Sequence, residues 1–357
     1  MPSESLIRKR YLDEVYQNVI GKIRKNIGNN FIWFTVDEST DARGRYIANL
    51  LVGVLNNNES SEPYLIASRQ LEKTNNNTIA RFVQEGLSDF FLPNRVPSEK
   101  IVLMLSDAAT YMVKASNVLK VFYENLIHCT CLAHGLSRVA ETVRLQFPVV
   151  NDLIKNGKKI FVKSPLRIQA FREQVPNVSL PPEPVLTRWG TWLEAALYYA
   201  DYFHKFKAFV TDLDEASAQS IKECQRILND KQVFQNLTFI KCHYSYIPQF
   251  LTKLETRDLS LTESVKIIDE FKTLIQNVHG NVGVMVNKKL EVLEKNSGFK
   301  ILIDISKTLE GLNSSGSCTY FLHKMIFSYR RQNYSLENLE KYVIVNYFAK
   351  TTYADKN

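Results

Sequence analysis

Cysteines, long apolar runs and long basic runs are all scarce in this sequence. Five cysteines scattered over 357 residues do not suggest a disulfide framework, which indicates a reducing compartment. The longest apolar stretch, residues 47–55, is about half as long as a membrane crossing requires, and no apolar signal segment follows Met1. We therefore expect a protein that neither spans a membrane nor is secreted.

Acidic residues are the minority charge. The chain has 45 Lys and Arg against 37 Asp and Glu, which gives a net charge of +8. The isoelectric point near 9.0 favours polyanionic partners over acidic ones. Local clusters such as Lys22, Arg24 and Lys25 are typical of solvated helix faces. Charge alone is therefore a weak indication of what the protein binds.

The spacing of apolar residues divides the chain into four segments. Residues 1–30 have the period of an amphipathic helix. Residues 31–147 contain three strand-like runs, then helix, strand, helix, short strand and helix, which is the order of an RNase H-like core. Residues 148–312 show almost no strand pattern, and residues 313–357 follow with a Ser/Gly linker and a further amphipathic helix. We predict a mixed α/β fold (an α+β mixed sheet) whose RNase H-like core is interrupted by a large all-helical insertion.

Two aspartates each follow a predicted buried strand. Asp37 comes directly after the apolar run 31–36, and Asp107 follows the run 101–105 with Ser106 between. If these strands are parallel neighbours, we expect the two carboxylates to lie within about 8 Å of each other, close enough to share a metal or a bridged metal pair. Hard oxygen ligands of this type suit Mg²⁺ or Mn²⁺. The alternative is that both aspartates are ordinary turn or helix N-cap residues.

Four motifs in the same order resemble those of hAT-type DNA transposases. Residues 34–41, Phe-Thr-Val-Asp-Glu-Ser-Thr-Asp, resemble the first catalytic segment, and residues 105–112, Leu-Ser-Asp-Ala-Ala-Thr-Tyr-Met, resemble the second. Residues 131–134 match a Cys-x-x-His motif, and residues 187–189 match an Arg-Trp motif. The resemblance extends to domesticated relatives, including the transposase-like family around CGG triplet-repeat-binding proteins.

The resemblance implies a metal-dependent DDE nuclease. In such enzymes Asp, Asp and Glu hold two cations that activate water and then a 3′ hydroxyl. Asp37, rather than Asp41, matches the first ligand and Asp107 matches the second. Arg188 and Trp189 fall where the family handles DNA, a role that suits a guanidinium and an indole. Equally, Trp189 can be a core residue of its helix.

Cys131 and His134, with Cys129 and His128 nearby, have some of the residue types of a zinc site. A structural zinc site needs four ligands, usually as two separated pairs, and the sequence offers no second pair. We expect no zinc here, and interpret Cys131 and His134 as motif residues packed at the start of a helix.

The third carboxylate of the family is not identifiable. Counting back from the C-terminal resemblance places Ser317 where the family has its Glu, and a hydroxyl does not supply the charge that a second cation needs. Glu310 is the nearest acidic alternative. The sequence also lacks the N-terminal Cys-x-x-Cys finger of many relatives, which is expected of a fragment or a decayed copy.

These observations predict a nuclear, transposase-derived protein that binds DNA, has an incomplete catalytic set and forms a homodimer. The alternatives are an active metal-dependent DDE transposase and an interaction scaffold without a role on DNA. The C-terminal segment carries more apolar surface than a solvated tail, which favours either self-association or closure of the core. The residues of this surface are Phe321, Ile326, Phe327, Tyr329, Leu336, Leu339, Tyr342, Val343, Val345, Tyr347 and Phe348.

Overall fold

A computed structural model of the chain describes residues 4–41, 43–55, 62–185, 189–256 and 259–313, together with Lys341, Ile344, Val345 and Phe348. The strands of the described part are β1 (Phe31–Thr40), β2 (Tyr46–Leu55), β3 (Tyr64–Leu71), β4 (Ile101–Ser106) and β5 (Ile127–Thr130). Its helices are α1 (Glu4–Ile27), α2 (Asn76–Phe91), α3 (Thr110–Leu119), α4 (Leu132–Gln146), α5 (Pro148–Phe161), α6 (Pro165–Gln174), α7 (Trp189–Asp201), α8 (Phe203–Thr211), α9 (Gln219–Asn229), α10 (Lys231–Tyr244), α11 (Ile247–Leu254), α12 (Leu261–Gln276), α13 (Gly280–Glu294) and α14 (Ser297–Asn313).

The five strands form one mixed sheet in the order β3-β2-β1-β4-β5. Strands β1, β2 and β3 are an antiparallel meander, whereas β4 pairs in parallel with both β1 and β5. This is the strand arrangement of an RNase H-like sheet, and the described part of 148–312 is helical without a strand. The predicted fold class, a mixed sheet core with a large helical region, is therefore confirmed.

Side chains along β1 alternate between the two faces of the sheet. Ile32, Phe34 and Val36 are buried together with helices α1, α2 and α3, as expected of a strand whose side chains alternate between faces. On the opposite face Trp33 lies across from Gly53, where an added Cβ would come within 2.4 Å of the indole. Gly53 is therefore required by the bulk of Trp33.

Helix α1 belongs to the core of the sheet. Its buried residues Val19, Ile20, Ile23 and Ile27 recur at helical spacing and join the apolar cluster of β1, β2 and α2. The side chain of Arg24 donates to the carbonyl of Phe90 at the end of α2 and lies 5.6 Å from that ring. A cation at a helix C-terminus is favourable, so this contact holds α1 against α2.

Residues near the C-terminus return to the same core. Ile344 is fully buried in the cluster, and Val345 and Phe348 pack against it. Lys341 forms an ion pair with Asp13 of α1. The linker and most of the apolar C-terminal residues predicted above lie outside the described residues.

The chain separates into two compact units. The first comprises residues 1–131, 256–265 and 294–357, and the second comprises residues 132–255 and 266–293. The predicted segments differ from these units, because α1 shares the core of the sheet and because residues 256–265 and 294–312 group with the sheet rather than with the helices. A capping box precedes α12: Ser260 Oγ accepts from the Glu263 amide at 3.1 Å, and Glu263 Oε2 accepts from the Ser260 amide at 2.9 Å.

Aromatic packing dominates the second, helical unit. Phe161 of α5, Phe171 of α6 and Phe209 of α8 have ring centroids 5.0–5.8 Å apart. Edge-to-face and stacked pairs at such distances add to the burial of apolar area. None of the described helices has both the length and the apolar character needed to cross a membrane.

Candidate active site

Asp37 and Asp107 stand at the same level of two neighbouring parallel strands. The last paired residues of β1 and β4 are Thr35 and Leu105, and each aspartate follows its paired residue by two positions. Neighbouring strands run about 4.8 Å apart, so this register brings the two side chains to one edge of the sheet. The parallel pairing on which the predicted site depends is confirmed. The separation of the two carboxylates, about 8 Å or less, stays a prediction.

The two aspartates differ in their local structure. Asp37 is exposed and lies within β1, which continues to Thr40 on its β2 side instead of ending at residue 36 as predicted. Asp107 follows β4, and its Oδ1 accepts from the amide of Ala109 at 3.1 Å in the turn before α3. Asp107 therefore also performs the turn role considered from the sequence, which fixes the direction of its carboxylate.

A third acidic residue, Glu38, lies beside this pair. The Tyr111 hydroxyl of α3 donates to Glu38 Oε1, while Glu38 Oε2 is buried and accepts no hydrogen bond from the described residues. Burial raises the pKa of Glu38, the hydrogen bond from Tyr111 lowers it, and the charge of Asp107 raises it. The structure thus adds two residues, Glu38 and Tyr111, that sequence reasoning missed.

Tyr111 lies near all three carboxylates. Burial raises the pKa of its phenol, and so do the hydrogen bond to Glu38 and the negative charges of Glu38, Asp107 and Asp37. The phenol therefore stays protonated near three carboxylates and acts as a donor. Only weak sequence signals indicated the contact between Tyr111 and Glu38: Glu38 directly follows Asp37, and Tyr111 lies in the second motif.

Asp41 has a different role from Asp37 and Asp107. Its carboxylate accepts from the amides of Arg43 at 2.8 Å and Arg45 at 2.9 Å, and it forms an ion pair with the Arg45 guanidinium at 2.6 Å. The hydrogen bond from the Arg45 amide is the main cause of its lowered pKa. This carboxylate organises the β1–β2 turn, and the assignment of Asp37 as the first ligand stays a prediction.

A buried polar contact lies under the edge of the sheet. Ser106 Oγ donates to the Asp107 carbonyl at 2.8 Å and lies 2.9 Å from His128 Nε2. Because the one hydroxyl proton is directed to the carbonyl, the network assigns the Nε2 proton to His128 as the donor to Ser106. Burial, with Lys120 nearby, lowers the pKa of His128 to about 4, so the ring is neutral at pH 7.

Residues 2–160 match DUF659, a domain of unknown function. DUF659 is found in hAT-family and transposase-like proteins of plants and animals. The match covers less than half of the chain, from α1 into α5. It includes all the residues of the carboxylate edge described above. No curated protein matches the sequence.

The Cys-x-x-His residues lie within the DUF659 match. The Cys131 amide donates to the Ser106 carbonyl at 2.8 Å, which extends the β4–β5 ladder by one bond, and His134 lies in the first turn of α4. Burial raises the pKa of the neighbouring Cys129 thiol to about 12, which keeps it protonated. In the described part of the chain, no three His, Cys, Asp or Glu side chains are grouped so that they could hold a metal ion.

The remaining predicted site residues lie beyond the DUF659 match. Arg188 is outside the described residues, and for Trp189 the structure describes only the backbone, as the first residue of α7. Glu310 is exposed on α14, and Ser317 is outside the described residues. The roles of Arg188 and Trp189 therefore stay predictions from the motif.

Proposed function

We propose that this chain is a transposase-derived, nucleic-acid-binding protein that keeps an RNase H-like fold without a complete catalytic carboxylate set. The observation that supports the proposal is the parallel register of β1 and β4, in which Asp37 and Asp107 each follow the last paired residues, Thr35 and Leu105, by two positions. The DUF659 match and the excess of basic residues support the same conclusion.

The residues present fit part of a divalent metal site. Asp37 and Asp107 supply two carboxylates of the kind that Mg²⁺ or Mn²⁺ takes together with substrate phosphates. A cation bound there would polarise a phosphate oxygen and lower the pKa of bound water. Glu38 is held by Tyr111, and the described residues offer no third ligand grouped with the pair. The incomplete set rests on the sequence, which has Ser317 where the resembling family has its Glu. In this proposal the two aspartates remain from a nuclease ancestor.

DNA binding is tested directly by fluorescence anisotropy with a labelled duplex across a salt series. We expect affinity to fall linearly with the logarithm of salt concentration, since phosphate contacts release counterions. Absence of binding even at low salt would favour the interaction scaffold and overturn the proposal.

Catalysis is tested with supercoiled plasmid and Mn²⁺. The proposal predicts no nicking above background by the wild-type chain. Nicking that disappears in both Asp37→Asn and Asp107→Asn would instead identify an active metal-dependent transposase, and nicking that survives in these variants would point to a contaminant.

Self-association and a nuclear location belong to the same proposal. The apolar C-terminal segment is the proposed dimer contact, supported by the resemblance and by the frequency of homodimers among soluble assemblies. Sedimentation equilibrium of the full chain tests the dimer, and a monomer at all concentrations would remove this part. Localisation of a tagged full-length chain tests the nuclear assignment.

A further inference from the structure

The segment that contains α5 and α6 is basic. Residues 148–175, which contain α5 and α6, carry six Lys or Arg against two Asp or Glu. Within α5, the side chains of Val150, Leu153 and Ile154 are buried, whereas Lys155 and Lys159 are exposed. These two lysines are four residues apart and therefore lie on the same outward side of the helix.

Helix α9 adds a second pair of cations beside α5. Lys222 and Arg226 are exposed and also four residues apart, while Ile221, Cys224 and Ile227 are buried. The two helices run antiparallel. Arg167 joins the end of α5 to the start of α9, because it donates to the Ile160 carbonyl at 3.1 Å and lies 3.4 Å from Ser217 Oγ.

The other end of α9 lies beside the start of α5. The hydrogen bond to Glu223 is the main cause of the raised pKa of Arg226, and Asp152 of α5 contributes to it. Lys155 and Lys159 of α5 and Lys222 and Arg226 of α9 thus lie on two helices that pack against each other. We call these four residues the α5–α9 face.

Most of the charge of this face is not neutralised by the residues that the structure describes. Arg226 pairs with Glu223 at 2.6 Å. Among the described residues, no carboxylate lies within ion-pair distance of Lys155, Lys159 or Lys222. Three cations on two antiparallel helices therefore present their charge to solvent.

We propose that the α5–α9 face binds the phosphate backbone of duplex DNA. The inference rests on the proposed function and names the surface that carries it. The three unneutralised lysines, Lys155, Lys159 and Lys222, can contact phosphates without contacting bases, so the face contributes affinity without sequence preference.

An anionic lipid surface is the other polyanion that attracts lysines. A helix that lies on a membrane inserts its apolar side into the lipid. The apolar side of α5 is instead buried in the helical unit through Leu153, Ile154 and Ile160. The chemistry of the face therefore favours phosphates in solution over a lipid interface.

The experiment compares wild type with Lys155→Gln/Lys159→Gln by anisotropy on one duplex across a salt series. Removing two phosphate contacts is expected to weaken binding about tenfold near 0.1 M salt and to reduce the slope of log affinity against log salt by about 2. Both lysines are exposed, so the thermal midpoint should not change.

The matched control is Lys22→Gln/Lys25→Gln on α1, which removes the same net charge from exposed helical lysines. Retained wild-type binding in the control, with loss in the face variant, supports the proposal. Equal loss of DNA affinity in both variants, or no loss in the face variant, overturns the proposal that the α5–α9 face binds DNA. Either result leaves the proposal that the protein binds DNA intact. Failure of wild type to bind DNA overturns both inferences, and binding of wild type only to anionic vesicles identifies the lipid alternative.

Discussion

Tyr111 and Glu38 form the contact that most distinguishes the carboxylate edge from a simple pair of aspartates. Their hydrogen bond spans 73 positions of sequence and ties the first turn of α3 to β1. Burial, and to a smaller extent the charge of Asp107, raise the pKa of Glu38, and the hydrogen bond from Tyr111 opposes them by favouring the charged carboxylate. At this scale the tyrosine hydroxyl is a stabilising group as well as a neighbour of the candidate ligands.

Tyr111→Phe tests this role. We expect the free energy of unfolding to fall by about 1 kcal/mol at pH 7, since the carboxylate loses its donor while remaining partly buried. Urea unfolding of Tyr111→Phe, Glu38→Ala and the double variant measures the coupling. If removal of the hydroxyl costs the same with and without Glu38, the hydrogen bond contributes nothing to stability.

His128 predicts a specific dependence of stability on pH. Its pKa is lowered to about 4 in the folded chain against about 6.5 when unfolded, so the unfolded state takes up a proton first. The stabilisation is therefore complete above pH 6.5 and is lost as the pH falls towards 4, by a total on the order of 3 kcal/mol.

The measurement is urea unfolding between pH 7 and pH 4. His128→Gln keeps a donor for Ser106 and should lose this part of the pH dependence, whereas His279→Gln, at an exposed histidine, should retain it. Identical pH profiles for the wild type and His128→Gln would contradict the assignment.

The sequence predicted Asp37 and Asp107 because each follows an apolar run, a local signal. It did not predict the Tyr111–Glu38 contact, because that contact depends on the packing of α3 over the sheet. The end of β1 was also misplaced: Ser39 and Thr40 have the residue types of a turn, but they pair with Ile47 and Tyr46 of β2. Backbone pairing with β2 therefore sets the end of β1, which local composition did not predict.

Helix α5 meets α7 at Gly157, where the packing leaves no room for a side chain. An added Cβ would lie 2.1 Å from the Tyr199 hydroxyl oxygen, and that hydroxyl is buried and forms no hydrogen bond with the described residues. Close approach of two helices, rather than backbone flexibility, therefore requires this glycine. The same close contact between α5 and α7 thus excludes a side chain at residue 157 and buries the Tyr199 hydroxyl.

Gly157→Ala is expected to lower the free energy of unfolding by about 1–3 kcal/mol through overpacking. Gly21→Ala in α1, where the added Cβ would have no neighbour within 4 Å, should instead stabilise by about 0.5–1 kcal/mol. Thermal unfolding of both variants separates close packing from helix propensity.

Tyr199→Phe provides the second arm of this test. Removing the hydroxyl should make Gly157→Ala less costly in the double variant, because the clashing oxygen is gone. An unchanged cost in the Tyr199→Phe background would show that another neighbour opposes the alanine.

Element boundaries show where apolar periodicity loses its predictive value. The pattern from Trp192 to Leu213 predicts one helix, yet the chain forms α7 and α8 with a break at Tyr202. The apolar spacing continues through the break, since Tyr199, Phe203 and Phe206 are all buried. Periodicity reports which residues face the core but not whether the helix axis continues.

At the scale of the whole molecule, the sequence predicted a sheet core and a helical region, but not which segments share a core. Helix α1 was treated as a separate segment, although Ile23 and Ile27 are each 1% exposed within the core of the sheet. Residues 294–312 were assigned to the insertion, although Gly298 of α14 packs so closely on β5 that an added Cβ would lie 1.9 Å from the His128 carbonyl oxygen. Such contacts join distant segments and have no local signature.

Ile344 tests whether the C-terminal residues close the core. The side chain is fully buried, so Ile344→Ala should lower the free energy of unfolding by about 2–5 kcal/mol. Ile301→Ala, at a residue 41% exposed on α14, is the matched control and should cost less than about 1 kcal/mol. Equal small effects in both variants would favour a segment that serves only self-association.

The core of α1 and the sheet includes Ile344, and Val345 and Phe348 pack against it. This determines when the core can be completed during synthesis on the ribosome. Strands β1–β5 emerge early, but the residues that complete their apolar cluster are made more than two hundred positions later. At ordinary translation rates this delay is on the order of 10 s or more. During that interval we expect the nascent sheet to present an unfilled apolar surface of the kind that chaperones bind during synthesis.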